Sequence, residues 1–366
     1  MLILVVVFCA VAGVQIIFLT AFIVAFTKNR ALAEGSRPPV SVVICAHDEE
    51  SNLRQLIPLL LAQNYPEFEL IIVNDRSNDH TYDFLLEQTK QDVRVRMVNI
   101  DRLPEHVNGK KFAITLGVRA AKHEWILFTD ADCRPVSDKW IDSMSGSFTE
   151  NAQFVLGFSP YEKLPGFLNK FIRFETLITA IQYLSFAWLK APYMGVGRNL
   201  AYRKSLFLEK KGFRHHIGIT GGDDDLFVNQ HAGSKNAFAV FHPEAKVTSI
   251  PQTSWKAFLN QKVRHLSVGK HYKLRHRILL GLFTVTWILT WFTGLPVLIL
   301  DATKWWVALV LLLRIILLLT LVRITVKQAR LTFELWAIPF LDFLYTIYYI
   351  STGLVASLTK KIRWRN

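Results

Sequence analysis

The sequence predicts an α/β domain built on a mostly parallel, Rossmann-like sheet with flanking helices, set between N-terminal and C-terminal transmembrane helices. Three observations predict it. Short β-branched runs alternate with helical stretches between residues 40 and 128, the mark of strand–helix–strand units. Uncharged apolar stretches long enough to cross a bilayer stand near both ends of the 366-residue chain. Polar clusters rich in carboxylates follow the strands, on the sheet edge where doubly wound folds bind ligands.

Residues 2–26 are almost wholly apolar and are followed by Lys28 and Arg30. At about 1.5 Å per residue this run crosses a bilayer core. It lacks the basic leader and small-residue cleavage site of a signal peptide, so a retained anchor is expected over 1–27. The cations after it place the next domain, 28–253, in the cytoplasm. Residues 31–39 read as a polar linker. Val40-Ser41-Val42-Val43-Ile44-Cys45-Ala46 then reads as a buried parallel strand. His47-Asp48-Glu49-Glu50-Ser51-Asn52 closes it and leads into a helix over 53–63, broken at Tyr65-Pro66. Further strands are expected at 68–73, 93–98 and 125–128, with helices from 82 and over 112–121 between them. Beyond these come a helix at 140–148, a strand at 154–158 and an aromatic-rich helix over 167–189. That helix reads either as an acceptor-side or membrane-surface element or as a core helix.

The formal charge of +14 is spread along the chain rather than gathered in one block. Such a spread suits anionic headgroups and nucleotide phosphates. No nucleic-acid recognition motif accompanies it, so nucleic acid is not an expected partner. Cys9, Cys45 and Cys133 make no disulfide framework and fit reduced thiols in a cytosol-facing domain.

Two acidic centres carry the chemistry. In Asp130-Ala131-Asp132 the carboxylates sit at i and i+2 after a strand, so both project to one side. Two hard oxygen ligands there suit Mg²⁺ or Mn²⁺ holding a diphosphate; the plain alternative is a solvated turn. In Gly221-Gly222-Asp223-Asp224-Asp225 three successive carboxylates repel, so a folded site must compensate them or raise a pKa. A raised pKa suits a general base, and an acidic helix N-terminus is the alternative.

Cys45-Ala46-His47-Asp48-Glu49-Glu50, Asn74-Asp75-Arg76-Ser77-Asn78-Asp79-His80-Thr81, Gly109-Lys110 and Asp130-Ala131-Asp132, in this order, resemble the successive motifs of the family 2 glycosyltransferases. The apolar ends resemble the integral-membrane branch of that family. The resemblance covers roughly residues 38 to 270. It implies the GT-A fold, an inverting reaction, a nucleotide-diphosphate sugar donor (commonly a UDP-sugar) and a divalent metal. It implies that Ala46, His47 and Glu49 line the base and ribose pocket, that Asp75 meets the uracil, and that Lys110 is the basic residue after the glycine. Asp130 would face the nucleotide and sugar, and Asp132, with Asp130, the metal. Gly197-Arg198-Asn199 resembles the acceptor-side turn. The catalytic base falls at Asp223 or Asp224, with Asp224 preferred. Gln261-Lys262-Val263-Arg264-His265 resembles the Q-x-x-R-W motif on an interfacial basic segment, 254–277. Gln261, Arg264 and His265 share one helical face, and Arg264 would clamp the pyrophosphate. His265 stands at the acceptor side in place of the usual Trp, which weakens a processive reading. The alternative for Lys262, Arg264, Lys270, Lys273, Arg275 and Arg277 is a plain juxtamembrane basic belt.

In the membrane region, 278–366, spans are expected at 278–300, 305–321 and 333–358, the last interrupted by Pro339 and Asp342. Arg314 within the second should face a partner or a cavity. Three such crossings would leave Lys360-Lys361-Ile362-Arg363-Trp364-Arg365 outside, against the positive-inside bias, unless the last segment is kinked, interfacial or re-entrant. The combined expectation is a multi-pass inner-membrane glycosyltransferase with a cytoplasmic catalytic domain. It would move a hexosyl or N-acetylhexosaminyl unit to the hydroxyl of a lipid or lipid-linked saccharide, for cell-envelope glycan or glycolipid synthesis. The rival readings are a processive polysaccharide synthase and a non-catalytic membrane scaffold with a degenerate transferase domain.

Overall fold

The computed structural model describes residues 1–28 and 37–358. Most of the expected linker and the basic residues after 358 lie outside the described residues. In chain order the elements are α1 (Leu2–Lys28), β1 (Val40–Ala46), α2 (Glu50–Leu61), β2 (Phe68–Asp75), α3 (Thr81–Gln91), β3 (Val95–Ile100), α4 (Gly109–Ala120), β4 (Trp125–Phe128), β5 (Cys133–Pro135), α5 (Trp140–Ser145), β6 (Phe154–Leu156), α6 (Phe167–Trp188), β7 (Leu200–Arg203), α7 (Lys204–Glu209), α8 (Asp225–His231), β8 (Ala237–Ala239), β9 (Val247–Ser249), α9 (Trp255–Val268), α10 (Leu274–Leu300), α11 (Trp306–Gln328) and α12 (Ile338–Leu358).

Val40, Val42, Val43 and Ile44 are each no more than 1% exposed. A run buried on both faces belongs at the centre of a covered sheet, and β1 pairs in parallel with β2 on one side and β4 on the other. The seven strands run β3-β2-β1-β4-β7-β6-β8. The β1–β4 half is parallel as expected; β7 is antiparallel to both β4 and β6. β5 and β9 form a separate antiparallel ribbon directly after the Asp130-Ala131-Asp132 turn. The third strand starts two residues later than expected, because Val93 lies in the turn before it and is 94% exposed. Gly117 lets α4 lie close on the sheet: a Cβ there would stand 2.6 Å from Val43 Cγ1 and 3.0 Å from Val73 Cγ2.

The aromatic-rich helix α6 is a core element, which decides between its two readings. Its Phe186 meets Phe18 and Phe22 of α1 edge-on, and its Phe174 meets Tyr345 of α12. Sheet, α6 and apolar helices thus share one hydrophobic cluster.

Among the described residues, four helices are long and apolar enough to cross a membrane: Leu2–Lys28, Leu274–Leu300, Trp306–Gln328 and Leu335–Ala356. The last is continuous rather than broken, because Pro339 falls in its first turn, where a missing N–H costs nothing. Asp342 does not interrupt it either. The Arg314 guanidinium, 1% exposed, forks onto the Asp342 carboxylate, 0% exposed, and Trp291 Nε1 donates to Asp342 Oδ2 at 3.0 Å. Trp287 lies 4.7 Å under the same guanidinium. The charges that argue against spanning helices in the sequence cancel each other between α11 and α12. Arg314→Met strands a buried carboxylate and should cost about 3–5 kcal/mol. Adding Asp342→Leu should recover most of that loss in a thermal unfolding assay, and no recovery would contradict the pairing.

Candidate active site

Five segments converge past the carboxyl ends of β1 and β4. Cys45 is the penultimate residue of β1, Asp130 follows β4, Lys110 lies in the first turn of α4, and the turns before β7 and α8 supply Gly197 and Asp223-Asp224. These six residues line one small cavity. Asn108 caps α4 by accepting the Lys111 N–H, which sets the helix start at Gly109. Gly109 is required by contact: a Cβ there would stand 2.9 Å from Arg76 Nη2 and 3.1 Å from Asp75 Oδ2. Gly221 and Gly222 turn the chain into the acidic run with φ of +78° and +77°.

Lys110 Nζ lies 3.1 Å from Asp130 Oδ1 and 3.5 Å from Asp223 Oδ2, so one ammonium bridges the two acidic centres. Burial alone would pull this amine down, but Asp130, Asp223 and Asp224 outweigh burial and hold it well above its ordinary value. Burial likewise favours a neutral Asp130, and the Lys110 charge reverses this and holds Asp130 below the usual carboxylate range. Among the described residues Asp132 has no ion-pair partner. Burial, then the Asp130 charge, push its carboxyl up.

Asp130, Asp132 and Cys133 offer ligand atoms within 4.8 Å of one another. The Cys133 thiol is pushed up by burial and stays protonated, so it is a poor ligand for a hard cation. The two carboxylates do fit Mg²⁺ or Mn²⁺, as hard oxygen donors within reach of one ion. Glu49 stands nearby, raised by burial with Asp132 and Asp130 adding, and accepts from Asn52 Nδ2 at 2.6 Å. Arg198 lies on the same side, its guanidinium 4.5 Å over the Tyr161 ring and its Nη1 buried without a hydrogen-bond partner among the described residues.

His47 and Asp75 sit together on the rim. His47 Nδ1 lies 2.6 Å from the Asp75 carbonyl, and the Asp75 carboxylate takes the Arg76 fork at 2.8 and 3.3 Å. Ala46 needs correcting: its methyl is buried in the core beneath α2, so only its backbone could face a ligand. Asn199 needs correcting too. It is 0% exposed, and its amide is spent inside the protein. Trp140 Nε1 donates to its Oδ1 at 3.0 Å, and its Nδ2 donates to the carbonyls of Phe158 and Ala245 at 2.8 and 2.7 Å. An acceptor has no route to it. Gly197 holds the acidic run instead, its N–H donating to Asp224 Oδ2 at 2.7 Å.

The acidic run divides into three different environments. Asp223 faces Lys110. Asp224 has both oxygens taken by backbone, Gly197 N–H on one and Asp225 N–H on the other, each at 2.7 Å. It caps α8, and burial, then Asp223, push it up to about 6. Asp225 turns away from the cavity, accepting the Tyr272 hydroxyl at 2.7 Å, and is pushed up to about 8 by burial, then Asp224.

On α9 the Arg264 charge acts on Asp223 and Asp130, and Gln261 Oε1 is buried without a hydrogen-bond partner among the described residues. Solvent reaches His265, yet protein surrounds the ring closely enough that burial, then Lys262 and Arg264, hold it well below its ordinary value and neutral. Lys262 is not part of a basic belt; it is buried against Glu175. Lys111, Tyr161, Glu175 and Tyr272 carry no local sequence signal for the contacts they make. The buried Lys111 Nζ donates to the carbonyls of His216 and Ile219, fixing the segment before the acidic run.

Residues 41–209 match the family model of glycosyl transferase family 2, and the chain carries a family 2 glycosyltransferase domain over that stretch. It is similar to the probable glycosyltransferase YdaM of Bacillus subtilis, 28% identical over 62% of this chain and 54% of that protein. A shorter stretch is similar to the poly-beta-1,6-N-acetyl-D-glucosamine synthase of Staphylococcus epidermidis, 29% identical over 25% of this chain and 21% of the synthase. The matches thus span about half or less of the length of these relatives. The fold, of GT-A type, is shared with the mannosyltransferase PcManGT of Pyrobaculum calidifontis, solved with GDP-Man and Mn²⁺. That similarity has a TM-score of 0.57 at 14% identity and covers 98% of this chain and all of the other.

Asn199→Ala leaves an indole N–H and two carbonyls unpaired and should cost about 2–4 kcal/mol, read by thermal unfolding; an unchanged melting temperature would contradict its structural role. Asp225 gives a pH signature. Its folded value, about 8, lies above the unfolded value of about 3.9. The folded chain therefore keeps a proton that the unfolded chain has lost, so stability falls as pH rises through that interval. Asp225→Asn should flatten the decline between about pH 5 and 8; an unchanged slope would contradict the assignment.

Proposed function

We propose that this protein is a membrane-bound inverting glycosyltransferase. It moves a sugar from a nucleotide-diphosphate donor to a hydroxyl of a lipid or lipid-linked saccharide at the cytoplasmic leaflet. The observation that carries the reading is the Lys110 bridge, which brings a donor-side carboxylate, Asp130, and a base candidate, Asp223, to one ammonium. The family 2 domain supports the donor class, and the four apolar helices support an acceptor presented at a membrane. The GDP-Man and Mn²⁺ bound to the mannosyltransferase support testing guanosine as well as uridine donors.

In this proposal Asp223, rather than Asp224, takes the proton of the acceptor hydroxyl. Both Asp224 oxygens are already committed to backbone N–H groups, whereas Asp223 meets the Lys110 ammonium at 3.5 Å and feels the Arg264 charge. The acceptor oxygen attacks the anomeric carbon, the bond to the diphosphate oxygen breaks, and the electron pair leaves with the diphosphate. Lys110, Arg198 and Arg264 stand where they would neutralise that growing charge. Asp130 and Asp132 would hold a divalent cation, which as a Lewis acid makes the diphosphate a better leaving group. His47, Glu49 and Asp75 would flank the nucleoside, Gln261 would bind the donor beside Arg264, and His265 would stand at the acceptor side. We propose the domain limits 1–27, 28–253, 254–277 and 278–366 for anchor, catalytic domain, interfacial segment and membrane region. The processive polysaccharide synthase is the second reading, favoured by the short match to the N-acetylglucosamine polymer synthase.

The test is a screen of UDP- and GDP-sugars in membranes with Mn²⁺ or Mg²⁺, followed by product sizing. Single-sugar products are expected, and long polymers would select the second reading. Asp132→Asn and Asp223→Asn should each lower turnover by about 10²–10⁴-fold with the fold retained. Asp224→Asn should lower the melting temperature as well. Full turnover in Asp132→Asn overturns the metal assignment, and full turnover in Asp223→Asn overturns the base.

A further inference from the structure

The helix that carries Gln261, Arg264 and His265 is gripped from its other side. On α9, a 14-residue helix capped by Ser254, residues Trp255, Phe258 and Lys262 fall at i, i+3 and i+7 and share a face. That face packs on α6 and α12. Lys262 is 9% exposed and Glu175 of α6 is 5% exposed, and Lys262 Nζ lies 2.5 Å from Glu175 Oε2. The hydroxyl of Tyr348, on α12, reaches Glu175 Oε1 at 3.5 Å. The Phe258 ring stacks over Tyr348 at an interplanar angle of 25°, and Phe171 of α6 meets both rings edge-on. At the far end, the Tyr272 hydroxyl on Asp225 ties the segment after α9 to the start of α8.

We propose that Lys262 and Glu175, with Tyr348, are positioning residues that set the cleft-facing side of α9. A buried ion pair adds little net stability, because desolvation offsets its attraction, so the role of this one is to place α9 against α6 rather than to stabilise the fold. Arg264 follows Lys262 by two residues, about 200° around the helix, so fixing Lys262 against α6 turns Arg264 toward Asp223 and Asp130. The same contact makes α12, an apolar helix able to cross a membrane, one wall of the device. The position of a bilayer helix is thereby coupled to the cation at the reacting end of the cleft. The proposal rests on the reading of that cleft as a glycosyl-transfer site.

The test uses the full chain in lipid nanodiscs, with Glu175→Gln, Lys262→Met and the double variant Lys262→Met/Glu175→Leu. Three readouts are taken: steady-state transfer, nucleoside-diphosphate affinity and amide hydrogen exchange. Glu175→Gln should lower kcat at least tenfold with a smaller change in donor KM. It should speed exchange across residues 255–268 and leave β1 to β4 protected. The double variant, which replaces the pair with apolar packing, should regain the protection of α9. If Lys262→Met fails to fold, Glu175→Gln, which keeps the side-chain shape, decides. Unchanged kinetics and exchange in Glu175→Gln overturn the proposal. So does an equal loss of protection over the whole domain, which would mark a merely structural pair. If the unaltered protein transfers no sugar from any donor, the functional reading fails. The positioning claim is then still judged by α9 exchange and nucleotide affinity.

Discussion

One ammonium holds the candidate site together. Asp130, Asp223 and Asp224 come from segments far apart in the chain and would repel one another if gathered without a cation. Lys110 supplies the cation, and its reach into the cavity depends on the Asn108 cap and on the bare backbone of Gly109 beside Asp75 and Arg76. Its neighbour Lys111 points the other way and ties down the carbonyls of His216 and Ile219, just ahead of the acidic run. Two adjacent lysines thus do different work: one compensates the carboxylates, and the other fixes the loop that delivers them. Burial intensifies both effects, because each charge interacts more strongly in a medium of low polarisability.

The acidic run shows how position alone separates identical side chains. Asp223 meets an ammonium, Asp224 meets two backbone N–H groups, and Asp225 meets a tyrosine hydroxyl. Three consecutive residues point three ways at a helix start, so one serves the cavity, one the cap and one the packing against the segment that leads into α10.

Much of this was legible in the sequence. The β-branched strands, the Asp130-Ala131-Asp132 turn, the Gly109-Lys110 helix start and the four apolar helices are written in local patterns of charge, size and periodicity. The register within 223–225 was not, because the partners that decide it, Gly197 and Tyr272, lie 27 and 47 residues away from Asp224 and Asp225. Asn199 misled for a related reason: a polar residue in a glycine-rich turn reads as exposed, and only Trp140, Phe158 and Ala245 reveal that it is a buried hub. Lys262 and Arg314 were opaque alike. A cation announces its need for a partner but not which carboxylate answers it, and Glu175 and Asp342 stand on other helices.

The most direct test of the shared cleft is a structure of the full chain with Mn²⁺ and a non-transferable donor analogue, read by the anomalous signal of the metal. A peak beside Asp132, with the diphosphate between that carboxylate and Lys110 and with Asp223 facing the anomeric carbon, is the expected result. A metal and nucleotide bound away from these three residues would contradict it.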